Sequence, residues 1–152
     1  MKFIIMSNSN PTQAIWKGKF SYNPEEYGVM EDVDFELYVE LSNGTFEGKA
    51  YDDEFRDLYD GLANVKGFIE HDRIHFVVTY PVSYSMDEND EVKIDTTKEG
   101  HNVIYNGYLN HTSGKWEGEW EILEEEPIEG STDVYQFHST GRFLNYKVVG
   151  LF

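Results

Sequence analysis

The chain contains no cysteine, so neither a disulfide framework nor thiolate chemistry enters the reading; this leans toward a reducing compartment, although a domain of this size can also do without disulfides outside the cell. It has no apolar run near the roughly 20 residues a membrane-spanning helix requires. At the N-terminus, Phe3-Ile4-Ile5-Met6 gives way to Ser7-Asn8-Ser9-Asn10, too short an apolar core for a signal peptide, and a cytoplasmic protein is expected. Bases are scarce, 12 against 29 acids, for a net charge of −17. Such a surface repels nucleic-acid backbones and anionic membranes, so neither is expected as a partner.

Aromatic residues, by contrast, make up 16% of the chain, far more than an acidic disordered polypeptide carries. A length of 152 residues suits one domain with its own core, spanning 1–152. Apolar and polar residues alternate with a period of two along most of it. Phe35, Leu37, Val39 and Leu41 share one face, while Asp34, Glu36, Tyr38 and Glu40 share the other. Ile74, Phe76, Val78 and Tyr80 repeat the pattern, as do Trp116, Gly118, Trp120 and Ile122. A strand with one buried and one wet face requires this alternation.

Six segments place glycine between inward-facing positions, at Gly18, Gly48, Gly67, Gly107, Gly118 and Gly141. Glycine weakens a strand, so repeated use points to sharp coiling or close approaches on a concave face. The predicted fold is all-β, a closed antiparallel up-and-down barrel of about eight strands near 15–22, 34–42, 45–51, 63–70, 74–81, 101–110, 115–122 and 135–147. An open sandwich with bulges is the alternative. Asn43-Gly44, His71-Asp72-Arg73 and Asn110 to Gly114 read as tight turns, the first a strong hairpin signal. The remaining connections are long. In a meander the tight turns fall at one end, which they close, and the long loops rim the other, which stays open.

This layout resembles the calycin group of lipocalins, fatty-acid-binding proteins and avidins. Trp16 on the first strand is similar to the first-strand tryptophan of lipocalins, although Ala14 stands where their pattern has glycine. The segment from Asn43 to Tyr51 resembles an avidin hairpin. The resemblance is architectural. It implies a ligand cup, and no family activity or site residue follows from it.

Stretches 23–32, 52–61, 82–100 and 124–133 hold 20 of the 29 acids but only Arg56, Lys93 and Lys98 as bases, which accounts for the whole net charge. An acidic rim attracts a cationic ligand, a basic protein partner or Ca²⁺. The plainer purpose is solubility. Trp16, Leu41, Phe46, Ile69, Ile74, Leu109, Trp116 and Phe143 are expected as core near the closed end. The expected ligand-binding residues toward the mouth are Tyr22, Phe35, Tyr80, Tyr105, Trp120 and Phe137, with Tyr135 nearby, since tyrosine and tryptophan pair an apolar body with a polar tip.

No metal or cofactor is called for. Asp87 to Glu91 begins like a calcium loop, yet Val92 and Lys98 stand where an EF-hand needs glycine and glutamate. The five histidines lack zinc spacing. No catalytic residue stands out either. Three functions follow in order: a small-molecule binding module for an apolar or cationic ligand; a filled barrel serving protein–protein interaction, structure or self-association; and an enzyme using rim carboxylates with His101. Outward Tyr38, Tyr51, Phe68, Val77, Ile104 and Tyr108 suit the second.

Overall fold

Period-two alternation becomes, in three dimensions, a ladder that closes on itself. The structure is a computed structural model that describes residues 12–28, 31–56, 59, 61–86, 89, 92–97, 100–127 and 134–148. In chain order the elements are β1 (Thr12–Tyr22), α1 (Pro24–Tyr27), β2 (Val33–Ser42), β3 (Thr45–Asp52), α2 (Asp53–Arg56), β4 (Ala63–Glu70), β5 (Arg73–Thr79), β6 (Ser83–Met86), β7 (Val92–Asp95), β8 (Asn102–Asn110), β9 (Lys115–Pro127) and β10 (Val134–Val148). Eight of these strands form a closed barrel, each paired antiparallel with its neighbours, and β10 returns to β1 to complete the ring. This is the closed antiparallel meander expected from the sequence. Among the described residues no helix is long and apolar enough to cross a membrane.

Because neighbours are antiparallel throughout, successive connections alternate between the two ends. The β2–β3, β4–β5 and β8–β9 turns therefore share one end. Gly44 O accepts from Ile69 N at 2.7 Å, and Asp72 O accepts from Leu109 N at 2.8 Å, knitting the three together. Asn43 and Gly44 both take positive φ, 54° and 83°, the backbone that a two-residue hairpin needs to follow strand twist. The four longer connections share the opposite end, here called the loop end. Two of them carry a one-turn helix. The connection between β5 and β8 instead contains β6 and β7, paired as a separate hairpin.

The alternating residues sort as the pattern requires. Phe35, Leu37 and Val39 on β2 and Ile74, Phe76 and Val78 on β5 are buried, and the residues between them are less so. Inside, the rings touch one another in a continuous series. Trp16 meets Phe46 at 4.8 Å between centroids, Phe46 meets Phe76 at 6.1 Å, and Phe76 stacks on Tyr105 at 4.4 Å. Tyr105 then meets Phe35 at 6.0 Å, Phe35 meets Phe20 at 6.2 Å, and Phe20 meets Trp120 at 6.0 Å. Two of the inward glycines explain themselves here. A Cβ at Gly18 would overlap the Phe35 ring, and one at Gly141 would overlap the Trp120 ring. Glycine supplies the room these large rings occupy.

Candidate functional site

The polar groups of greatest interest lie at the loop end, where β3 passes directly into α2. Alternation turns Asp52 inward, and only 4% of it is exposed. Its Oδ1 accepts from the Phe55 backbone N–H at 2.7 Å, which caps the short helix. Its Oδ2 accepts from the Tyr80 hydroxyl at 2.6 Å. Capping lays Phe55 onto the Tyr80 ring, 4.7 Å between centroids, and Tyr59 follows at 6.0 Å from Phe55. Burial raises the Asp52 pKa above its ordinary value, against the pull of the bonds from Tyr80 and the α2 backbone.

Glu54, one residue into α2, is half-buried and accepts from the Tyr22 hydroxyl. Burial raises its pKa as well; the Tyr22 bond opposes this and the nearby Asp52 charge adds to it. Trp120 stands edge-on to Tyr22 at 5.4 Å and donates its indole N–H to Ser21 O at 2.9 Å. Tyr105 lies deeper, against Phe76. Burial, with the Asp52 and Glu54 charges, holds its proton firmly in place.

Of the expected wall residues, Tyr22 and Tyr80 thus bond the two carboxylates at this end, Trp120 packs on Tyr22, and Tyr105 lies deeper in the ring series. Phe35 sits between Phe20 and Tyr105 as part of the ring series. Phe137 pairs with Glu124 along β10, but its side chain, like that of Tyr135, lies outside the described residues. At the opposite end Trp16, Phe46, Ile74 and Phe143 are buried, while Leu41, Ile69 and Trp116 are partly covered. Sequence reading passed over Asp52 and Glu54 as loop acids. The signal for Asp52 was its parity: Tyr51 faces out on β3, so the next residue must face in.

Both Asp52 oxygens are occupied, by the α2 backbone and by Tyr80 just past β5, whereas Glu54 is half-buried and bonded to Tyr22, which packs against Trp120. A half-buried carboxylate beside a tyrosine suits a cationic group, chiefly through its charge. Among the described residues no three His, Asp or Glu side chains are grouped to hold a metal ion. His75 and His111 are engaged elsewhere, with Asn106 at 2.7 Å and Asp72 at 2.8 Å.

No family model, curated protein or solved structure matches this chain.

Proposed function

We propose that the barrel is a binding module whose loop end receives a cationic partner, foremost a basic segment of another protein. The observation that carries this reading is the series of rings filling the barrel from Trp16 to Trp120. With the axis occupied, recognition falls to the ends and the outer wall. Support for an acidic loop end comes from the sequence, where the stretches 23–32, 52–61, 82–100 and 124–133 hold 20 of the 29 acids. Complementary charge of this kind steers association and makes it sensitive to salt.

The calycin-like cup remains a likeness of architecture, and its apolar-ligand form draws less support from an interior lined by rings in mutual contact. A small organic cation is the second reading, favoured by the half-buried Glu54 carboxylate on Tyr22.

Binding of a fluorescent lysine-rich peptide, followed by anisotropy, tests the proposal when charges are removed pairwise. Neutralising Asp53 and Glu54 at the loop end (D53N/E54Q) weakens binding about fivefold, equivalent to about 1 kcal/mol. Neutralising Glu117 and Glu119 on the β9 wall (E117Q/E119Q) leaves it within about twofold. Equal losses from both pairs would mean that only diffuse charge is at work. Competition by spermidine but not by a second basic peptide would favour the small-cation reading.

A further inference from the structure

The chain puts one polar side chain where the alternation calls for an apolar one. On β10, Gly141, Phe143 and Asn145 face inward while Arg142 and Tyr146 face out. Asn145 is fully buried, and among the described residues both its Nδ2 and its Oδ1 lack a hydrogen-bond partner. Its direct neighbours in the ladder explain why. Gly18 on β1 stands opposite with no side chain to offer, and Trp116 on β9 stands on the other flank. Phe35, drawn over Gly18, and Phe143, two residues back along β10, contribute only carbon. The strand backbones around it are committed to the barrel ladder.

An amide buried with both its donor and its acceptor unmet costs more than an apolar residue of the same size. Buried polar side chains in folded proteins are almost always satisfied, by ordered water where the protein supplies nothing. The Asn145 amide edge has the shape for it: one water can accept from Nδ2–H and donate to Oδ1 in a closed pair. Access is short, because the flanking Trp116 is only partly covered, as are Leu41 and Ile69 at the same tight-turn end.

We infer that Asn145 anchors a water-binding site inside the barrel, between Gly18 and Trp116. The water belongs to the native structure and is held by this amide, separately from the carboxylates at the loop end. The proposal therefore stands whether or not the loop end binds a cation.

Two measurements test it. In the intact wild-type protein, water-selective NOE and ROE spectra should show cross-peaks from both Asn145 side-chain amide protons to water. Their signs distinguish a held water from chemical exchange. Absence of those peaks overturns the inference. In the Asn145→Leu variant the amide is gone and the water has no anchor, so the thermal midpoint is expected to fall by roughly 3–6 °C. A midpoint that stays level or rises overturns the inference too, because it identifies the amide as a dry, unpaired group that leucine relieves. If Asn145→Leu does not fold, the wild-type spectra decide alone.

Discussion

Tyr80 donates its hydroxyl hydrogen bond to Asp52 Oδ2 at 2.6 Å, and through it the end of β5 is fastened to the residue that caps α2. The pair is separated by 28 positions in the chain, so it fixes how the loop between β3 and β4 sits over the barrel end.

Removing the hydroxyl exposes the worth of that contact. Tyr80→Phe keeps the ring on Phe55 but leaves a buried carboxylate oxygen without its donor. A loss of about 1.5–3 kcal/mol in unfolding free energy is expected from denaturant titration, the usual scale for a hydrogen bond to a charged group. A change under about 0.5 kcal/mol would mean that Asp52 is solvated in its place.

Asp52 also gives the fold a pH signature. Burial raises its pKa above the ordinary 3.8, so the folded state holds the proton more tightly than the unfolded state does. Stability from this group is greatest below the ordinary value and declines as pH rises through the raised one. Asp52→Asn keeps an oxygen for the cap and cannot ionise. Its melting temperature should therefore fall less between pH 4 and about 7 than that of the wild type. Parallel curves for the two proteins would refute the assignment.

Glycine at 141 makes a sharper test of packing. In an ordinary strand, Gly→Ala gains roughly 0.5–1 kcal/mol by reducing backbone freedom. Here the added methyl would strike the Trp120 ring and the Ser21 carbonyl. Gly141→Ala is expected to destabilise the protein by about 1–3 kcal/mol, the range for overpacking a filled core. A stabilised variant would show that the ring has somewhere else to go.

Most of the barrel was legible because one-sided burial imposes alternation, and alternation survives in sequence. The fourth strand runs over 63–70 in both sequence and structure, and the third, expected at 45–51, reaches Asp52. The hairpin of β6 and β7 was not legible. Its strands are four residues each, with the acidic run from Asp87 to Glu91 between them, and such short segments show no clear period. The one-turn helices were missed for the same reason, although Asn23-Pro24 carries a start signal: Asn23 accepts from Glu25 N at 3.0 Å.

At the candidate site, the aromatic residues announced themselves by parity and size. The carboxylates did not, because a sequence rich in acids gives no sign of which one is buried. Asp52 became distinct only when Tyr80, just past β5, arrived from far along the chain. Asn145 was readable in principle as a polar residue at an inward position, two residues beyond Phe143. Its lack of partners depends on what lies across the β1 and β9 flanks, and only the register reveals that.

Whether the interior is filled can be measured directly with xenon. Xenon enters apolar cavities in folded proteins and perturbs the surrounding NMR signals. In wild-type protein, signals from Trp16, Phe76 and Tyr105 should stay unmoved under xenon pressure. Phe76→Ala, which opens a void at the centre of the ring series, should show saturable shifts at Phe46, Tyr105 and Phe143. Saturable shifts of those signals in the wild type would contradict the filled barrel, and with it the case for recognition at the loop end.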